Sequence, residues 1–287
     1  MKEIIRAIKK CYPIYLYAFL IFTLNACSVD AKIENDWELY NLKGKVKSVT
    51  EVTYQGAYRF GKIEIAGGRV EANNAIIYFG DGISGINYPF NTKKIYFDER
   101  GKITEEQFYN LGGTLSNNIT YQYNAAGKLH TMRRGGYRYE YKYDPKGVLL
   151  QEIIFFDTTK QYISYVKFDE DNNLFKKIRY NDTGALDAVI TYKYYKNRLS
   201  SIVDSASAFH INSLTHIRGE QNFYYNDRGD LERYSDYNPS FSKNGIYEYN
   251  DYFTIEYKEY DKLGNYLNYG VEVDGNYYFI KRTIQYY

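Results

Sequence analysis

The sequence predicts an all-β protein, a long antiparallel β-meander forming a single curled sheet or open barrel-like shell of about 14–16 strands. Two observations support this prediction. Hydrophobic and polar residues alternate with a period of two through much of the chain, and a short turn motif recurs, often at intervals of about 12 residues. Alternation with one polar face is typical of an antiparallel sheet that exposes one side to water, and no comparable window has the period of a helix.

The segment YRYEYKYDPKG, residues 137–147, shows both features together. Its tyrosines fall at odd-numbered positions, and the intervening Arg, Glu and Lys fall at even-numbered positions. Successive side chains of a strand point to opposite faces of the sheet, so the tyrosines are predicted to share one face. The Asp-Pro-Lys-Gly that follows is predicted to reverse the chain.

The turn motif consists of an aromatic residue, Asp or Asn, two variable residues, Gly, one variable residue and an aliphatic residue. Asp or Asn at the first position of a type I turn can accept a backbone N–H, Pro fits the second position, and Gly tolerates the positive φ that often follows. Such turns connect neighbouring antiparallel strands. The motif begins at Phe97, Tyr109, Tyr123, Tyr143, Tyr180, Tyr225 and Tyr260, and degenerate copies begin at Phe156, with Lys160 in the Gly position, and at Phe168, with Asn172 there.

The first 26 residues are predicted to be a signal peptide that is removed from the mature protein. A basic start precedes the apolar run CYPIYLYAFLIFTL, residues 11–24, which is shorter than a comfortable membrane span. Of the chain's 37 basic and 35 acidic residues, this leader holds four and one, which leaves 33 and 34. The mature chain is therefore near neutral, and its charge does not indicate a nucleic-acid partner.

The leader ends in Leu24-Asn25-Ala26-Cys27, which resembles the lipobox of bacterial lipoproteins. The resemblance implies that Cys27 is acylated and becomes the mature N-terminus, and the Ser that follows it resembles the outer-membrane sorting pattern. An ordinary secretory signal cut nearby is the alternative. Cys11 leaves with the leader, so no disulfide is available. Residues 27–36 are expected to form a linker before a single domain, residues 37–287.

The repeated motif, over about residues 93–287, resembles the YD repeats of Rhs and teneurin proteins. The segments LKGKVKSVTE, residues 42–51, and IKRTIQYY, residues 280–287, resemble YD-repeat-like lipoproteins of Gram-negative envelopes. In the large relatives such repeats wind into a hollow β-shell around a toxin domain. The predicted strands are too few to close that shell, and no toxin domain is recognised beyond the repeats.

Tyrosine is unusually abundant, with 37 copies against 16 Phe and one Trp. The simpler interpretation is packing within the sheet, because Tyr favours strands and its hydroxyl reaches water or a polar partner from a thin layer. It places the tyrosines inside the curled sheet and Lys, Glu and Arg outside. The other interpretation is that Tyr137, Tyr139 and Tyr141 form a platform on which sugar rings stack.

Two stretches, residues 57–90 and 200–221, lack the regular motif and are expected to be insertions, where binding sites often lie. The second contains His210, His216 and Asp204. These residues do not have the spacing of metal ligands, and a histidine-based hydrolase would need a nucleophile and an orienting acid that the sequence does not place.

Two further motifs do not fit their usual structural context. GDGISG, residues 80–85, matches a dinucleotide-binding fingerprint, but INYPFN follows it where a helix is required. Residues 169–173, DEDNN, begin like a calcium loop, but the later Gly and Glu of such a loop are Leu174 and Tyr180. The segment is better interpreted as a degenerate turn. No metal or other cofactor is expected.

The sequence therefore predicts a lipid-anchored envelope protein, in the outer membrane and facing the periplasm or the cell surface, with a non-catalytic binding or scaffold role. The expected partners are the membrane and either a glycan or another envelope protein, but no nucleic acid. One alternative is a glycan-binding surface lipoprotein that uses exposed tyrosines. A second is a hydrolase with its site in residues 57–90 or 200–221.

Overall fold

The computed structural model describes residues 35–71, 90–196, 198–206, 216–242, 245–273 and 275–287. A four-residue helix, α1 (Asp36–Leu39), precedes seventeen strands. The strands are β1 (Val46–Arg59), β2 (Lys62–Arg69), β3 (Thr92–Phe97), β4 (Ile103–Tyr109), β5 (Leu115–Tyr123), β6 (Leu129–Arg134), β7 (Tyr137–Tyr143), β8 (Leu149–Phe156), β9 (Thr159–Phe168), β10 (Leu174–Asn181), β11 (Leu186–Tyr195), β12 (Arg198–Ala206), β13 (His216–Tyr225), β14 (Leu231–Ser242), β15 (Gly245–Tyr260), β16 (Tyr266–Val273) and β17 (Asn276–Tyr286).

These strands form one closed antiparallel barrel. From β3 to β17 each strand pairs with the next along the chain, and β1 joins the two ends by pairing with β17 on one side and β3 on the other. The barrel thus has 16 strands, and β2 is an extra strand that pairs with the second half of β1. The predicted all-β antiparallel meander is confirmed, and the expected curl continues until the two edges of the sheet meet.

The Asp/Asn-to-Gly motif forms the predicted turns. In the copy at residues 144–147, the side-chain Oδ1 of Asp144 accepts the backbone N–H groups of Lys146 and Val148, both at 2.8 Å. Gly147 has φ +82°, a left-handed conformation that other residues rarely adopt. Asn172 takes this role with φ +60° in the β9–β10 turn, which confirms the degenerate copy there.

The other degenerate copy was predicted wrongly. Phe156 and Thr159 are paired directly, so the β8–β9 turn contains only Asp157 and Thr158. Asp157 has φ +51°, and Lys160, expected in the Gly position, lies within β9. Asp tolerates a left-handed conformation, so it supports the tighter two-residue turn.

The two stretches expected to be insertions contain strands. β1 extends to Arg59 and β2 covers residues 62–69, while β12 and β13 cover much of residues 200–221. Residues 72–89 and 207–215 lie outside the described part of the chain.

The two ends of the barrel differ. In an antiparallel meander successive turns alternate between the ends, so the motif turns β3–β4, β5–β6, β7–β8, β9–β10, β13–β14 and β15–β16 share one end. β1 begins and β17 finishes at that same end, where Tyr287 donates its N–H to the Lys45 carbonyl at 3.0 Å. We call this the cap end, because residues 35–45 lie there, and we call the opposite end the far end.

Tyrosine hydroxyls stabilise the cap end. A tyrosine near the end of one strand donates its hydroxyl to the carbonyl of a residue at the start of the preceding strand. Four such bonds, at 2.7–3.0 Å, run from Tyr123 to Ile103, Tyr143 to Leu129, Tyr225 to Leu199 and Tyr257 to Leu231. These bonds give a physical reason for Tyr, rather than Phe, at these positions.

Candidate functional site

The cap segment, residues 35–45, is fixed to one side of the cap end by backbone and side-chain bonds. Asp36 donates its N–H to the Gly101 carbonyl at 2.7 Å. Its Oδ2 accepts the Ile103 N–H at 2.7 Å and lies 2.9 Å from the Tyr123 hydroxyl, whose single hydrogen it shares with the Ile103 carbonyl. This single carboxylate therefore ties α1 to β4 and β5.

The other end of the cap segment reaches turns far along the chain. Asn41 Nδ2 donates to Asp230 Oδ1 at 2.6 Å, beside the β13–β14 turn. Lys43 donates its N–H to Asn265 Oδ1 at 2.7 Å, and Asn265 Nδ2 returns a bond to the Lys43 carbonyl at 2.9 Å. The cap segment thus connects the β3–β4 turn with the β13–β14 and β15–β16 turns.

A buried ion pair lies inside the barrel where β1 and β17 join. Arg282 donates to Glu51 Oε1 from Nε at 2.9 Å and from Nη2 at 2.7 Å. Tyr269 donates to the same oxygen at 3.1 Å, and the guanidinium stacks on the Tyr266 ring, 3.6 Å from its centroid. Glu51 and Arg282 are only 3% and 7% exposed, so the pair is largely removed from water.

A second buried pair lies on β3 and β4. Lys93 Nζ is 3.0 Å from Glu106 Oε2, and Tyr121 donates to Glu106 Oε1 at 2.6 Å. The ammonium also lies 5.7 Å from the ring centroids of Tyr40, in the cap segment, and Phe108. The cap segment therefore contacts the interior charges directly through Tyr40.

Burial and neighbouring charges act in opposite directions on these groups. Burial alone would raise the pKa of Glu51, but Arg282 and Lys93 outweigh burial and hold the pKa below its usual value. Burial, together with the charges of Glu106 and Asp36, raises the pKa of Tyr40 well above its usual value. The Glu51 carboxylate is consequently ionised and the Tyr40 hydroxyl is neutral at physiological pH.

A third pair, Glu152 on β8 and Lys177 on β10, spans β9 inside the barrel, with 2.6 Å between Oε1 and Nζ. Beside it Ser164 is fully buried, and its hydroxyl has no hydrogen-bond partner among the described residues. The pair is held by strands on both sides and is only 2% and 5% exposed. All three pairs combine opposite charges, so they contribute no net charge to the interior.

The interior charges were not predicted, because Lys, Glu and Arg were expected outside. Their positions carried a signal nonetheless. Lys93 shares its parity with Ile95 and Phe97, and Glu106 shares its parity with Phe108. A charged residue at a hydrophobic position of a strand indicates a buried pair if an opposite charge lies on a neighbouring strand.

The predicted stacking platform does not form. Tyr139 and Tyr141 face the interior with 7% and 5% exposure and pack in a core with Phe108 and Met132. Tyr137 is 43% exposed at the far end, where its ring packs on Phe156 with 5.0 Å between centroids. Because closure of the sheet buries two of the three rings, they are not open to a sugar.

The other predicted site residues are not brought together. Cys27, residues 80–85 and His210 lie outside the described residues, and His216 is the first residue of β13. Asp169 Oδ1 accepts the Asn173 N–H at 2.7 Å, which is the expected turn rather than a calcium loop. No group of three or more His, Cys, Asp or Glu suited to a metal ion occurs in the described parts of the chain.

The outer face of β3–β7 is mostly polar. Along β3–β7 the outward-facing positions include Lys94, Glu105, Gln107, Asn118, Thr120, Arg133, Arg138 and Glu140. Separately, no helix among the described residues is long and apolar enough to cross a bilayer.

The outer face of β8–β11 is apolar at its centre. We define the outer patch as the outward-facing residues at the centre of β8–β11. Its members are Ile153, Ile163, Tyr165, Ile178, Tyr180 and Val189. Tyr165 is 45% exposed and packs edge-on against Tyr180, with 5.9 Å between ring centroids.

Comparisons with known proteins identify structural neighbours but no family. No protein-family model matches the chain, and no curated protein matches it. A porin-like protein from Bacteroides uniformis has a TM-score of 0.46 and 10% identity, over 85% of this chain and 98% of that one. A porin-like protein from Bacteroides vulgatus has a TM-score of 0.18 and 12% identity, over 85% and 99%.

A different neighbour is TcdB2-TccC3 without its hypervariable C-terminal region. The TM-score is 0.29 and the identity is 14%, over 66% of this chain and 12% of the much longer one. At these TM-scores and identities, none of the neighbours carries an argument about activity.

Proposed function

We propose that this chain is a lipid-anchored protein of the bacterial outer membrane whose barrel has a non-catalytic binding or scaffold role. The anchor is supported by the sequence Leu24-Asn25-Ala26-Cys27 after a basic and apolar leader. Two or more acyl chains on Cys27 would hold the protein stably at a membrane, since each buried CH₂ contributes about 0.8 kcal/mol.

The observation that carries the non-catalytic role is the state of the charged groups inside the barrel. All six members of the three interior pairs are neutralised by a partner and at most 7% exposed. Catalysis requires reactive groups that a substrate can reach. These groups instead connect strands, as expected of a rigid support.

The anchor is tested by expressing the full chain in a Gram-negative host with a labelled fatty acid. The wild-type protein should incorporate label and partition with membranes, and Cys27→Ser should lose the label. Cys11→Ser is the matched control, because Cys11 belongs to the leader, and it should remain labelled. A Cys27→Ser protein that is labelled like the wild type would overturn the anchor.

The scaffold role is tested by pull-down from envelope extracts with wild-type protein and the Glu51→Leu/Arg282→Met variant, which replaces one interior pair and leaves the outward-facing residues unchanged. A partner retained by both proteins would support binding by the outer surface. The non-catalytic role would be contradicted if the wild-type protein turned over a glycan or peptide substrate and a variant of one interior pair did not.

A further inference from the structure

The outer patch is an apolar region of the outer face in which Tyr165 is 45% exposed and Ile153 is 7% exposed. On the opposite wall, an apolar site at Gly270 and Phe279 is covered by the hairpin of β1 and β2. Ile63 packs so closely there that a Cβ at Gly270 would lie 2.5 Å from the Ile63 Cβ. The Ile63 N–H is also satisfied, by Glu256 Oε2 at 2.9 Å. The protein thus covers one such site with its own chain, whereas Tyr165 at the centre of the outer patch is open to solvent.

Lysines border the outer patch on the side of the cap end. Lys167 on β9 and Lys176 on β10 are direct cross-strand partners, and Lys142 lies on the same side of the patch on β7. Like charges directly opposite each other destabilise a sheet. None of the three makes an ion pair with a described residue, whereas the outward Arg138 and Glu140 pair with each other. Because the fold keeps Lys167 and Lys176 side by side without a counter-charge, the two lysines indicate an anionic partner.

The position of the first described residue supports a membrane as that partner. The first described residue, Asn35, lies at the cap end, and Cys27 is eight residues before it. Eight residues span at most about 29 Å, so an acylated Cys27 would keep the cap end close to the bilayer. The lysines are on that side of the patch, and the apolar residues lie next to them.

We propose that the outer patch and its lysines dock onto the headgroups of an anionic lipid surface. Tyrosine and apolar side chains enter the interfacial region of a bilayer, while lysines bind the lipid phosphates. This inference rests on the proposed function and deepens it. The acyl anchor alone would hold the protein at the membrane, whereas the anchor and a basic, aromatic surface together would also fix the orientation of the barrel. The acidic Glu170 and Asp171 of the β9–β10 turn lie at the border and oppose docking.

The test uses the lipid-free chain from residue 28, which contains the cap segment and all seventeen strands. Its binding to vesicles of phosphatidylcholine alone and with 30% phosphatidylglycerol is measured by co-sedimentation at low and at physiological salt. We expect binding only with the anionic lipid and weaker binding at higher salt. Lys167→Ser with Lys176→Ser should weaken binding about thirty-fold, which is roughly five-fold per lysine.

Two further variants separate docking from folding. The double lysine variant should be slightly more stable to urea than the wild type, because it removes a repulsive pair, so a loss of binding cannot come from unfolding. Glu170→Gln with Asp171→Asn should strengthen binding. The matched control, Lys94→Ser with Arg133→Ser, removes two outward cations from β3 and β6 and should bind like the wild type.

Equal binding to both vesicle types, or an equal loss in the control variant, would overturn the proposal. A soluble dimer that Tyr165→Ser converts to a monomer would also overturn it, since the patch would then be an interface between two copies of the chain. These outcomes leave the acyl anchor untouched, because the protein in this assay carries no lipid. Failure of fatty-acid labelling at Cys27 would, in turn, leave docking by the lipid-free protein intact.

Discussion

At the residue scale, the three interior ion pairs are the positions where substitution should destabilise the barrel most. Moving a charge into a protein interior is costly, and an opposite charge with good hydrogen bonds only balances that cost. Glu51 is the best satisfied, because Arg282 donates to it twice and Tyr269 once. Removing one partner should therefore be far worse than removing both.

Arg282→Met should lower the free energy of unfolding by about 3–5 kcal/mol, because it leaves the Glu51 carboxylate buried without its cation. Glu51→Leu combined with Arg282→Met should restore a large part of that loss. Urea denaturation followed by tyrosine fluorescence measures both variants. Equal stability of the single and double variants would show that the pair is not coupled.

The same pair predicts a contribution to acid sensitivity. The pKa of Glu51 is lowered in the fold, so its stabilising contribution is complete above the ordinary value of 4.5. The contribution is lost as the pH falls through the lowered, folded value. Urea midpoints measured from pH 7 down to pH 3 should decline less steeply in the Glu51→Leu/Arg282→Met variant than in the wild type. If the urea midpoints of the two proteins declined equally with pH, ionised Glu51 would not be a source of the acid sensitivity.

The contribution of a single tyrosine hydroxyl at the cap end to the stability of the protein should also be measurable. Tyr143→Phe removes the donor to the Leu129 carbonyl, 2.7 Å away, and should cost about 1–2 kcal/mol. Tyr137→Phe is the matched control on the same strand, because Tyr137 is 43% exposed, and it should change stability by less than about 0.5 kcal/mol. Thermal unfolding of the two variants compares them directly, and equal losses would remove the hydroxyl bond as the cause.

At the scale of elements, the turns and strands were accessible from the sequence because their causes are local. Asp144 and Gly147 satisfy the turn within four residues, and the alternation in β7 follows from strand geometry alone. The β8–β9 turn was missed because Asp157 can adopt positive φ without Gly. The cap segment was missed as well, since its contacts with Asp230 and Asn265 join residues some 200 positions apart.

Two glycines with nearly the same φ allow the turn and the cap to be separated. Gly147, at φ +82°, meets no atom closer than 3.6 Å, so Gly147→Ala should cost only the left-handed strain, about 1–2 kcal/mol. Gly101, at φ +80°, would place a Cβ 2.7 Å from the Trp37 ring of α1. Gly101→Ala should therefore cost more and should increase proteolysis within the cap segment, as measured by limited digestion. Equal costs and equal digestion would mean that the cap does not depend on this contact.

At the scale of the whole molecule, closure depends on the pairing of β1 with β17. Glu51 and Arg282 lie on this seam, more than 200 residues apart in sequence, and no local pattern predicts such a contact. This explains why alternation and turns predicted the meander but not which edges meet. It also explains why the parity of Lys93 and Glu106 did not by itself identify the interior site, since these charges become buried only after the sheet closes.

The seam gives the strongest test of the fold. Deleting residues 276–287 removes β17 and exposes the edges of β1 and β16, so the truncated chain should aggregate and lose cooperative unfolding.

A circular permutant that joins Tyr287 to residue 35 by a short Gly/Ser linker and begins at Thr183, in the exposed β10–β11 turn, keeps every strand pair. Because residue 35 and Tyr287 both lie at the cap end, this permutant should form the same barrel with nearly wild-type stability. It should also fold faster, because pairing β1 with β17 becomes a local step and no longer requires closure of a loop spanning the whole chain. Stopped-flow refolding compares the rates, and a permutant that refolds more slowly than the wild type would show that closure at this seam is not the slow step.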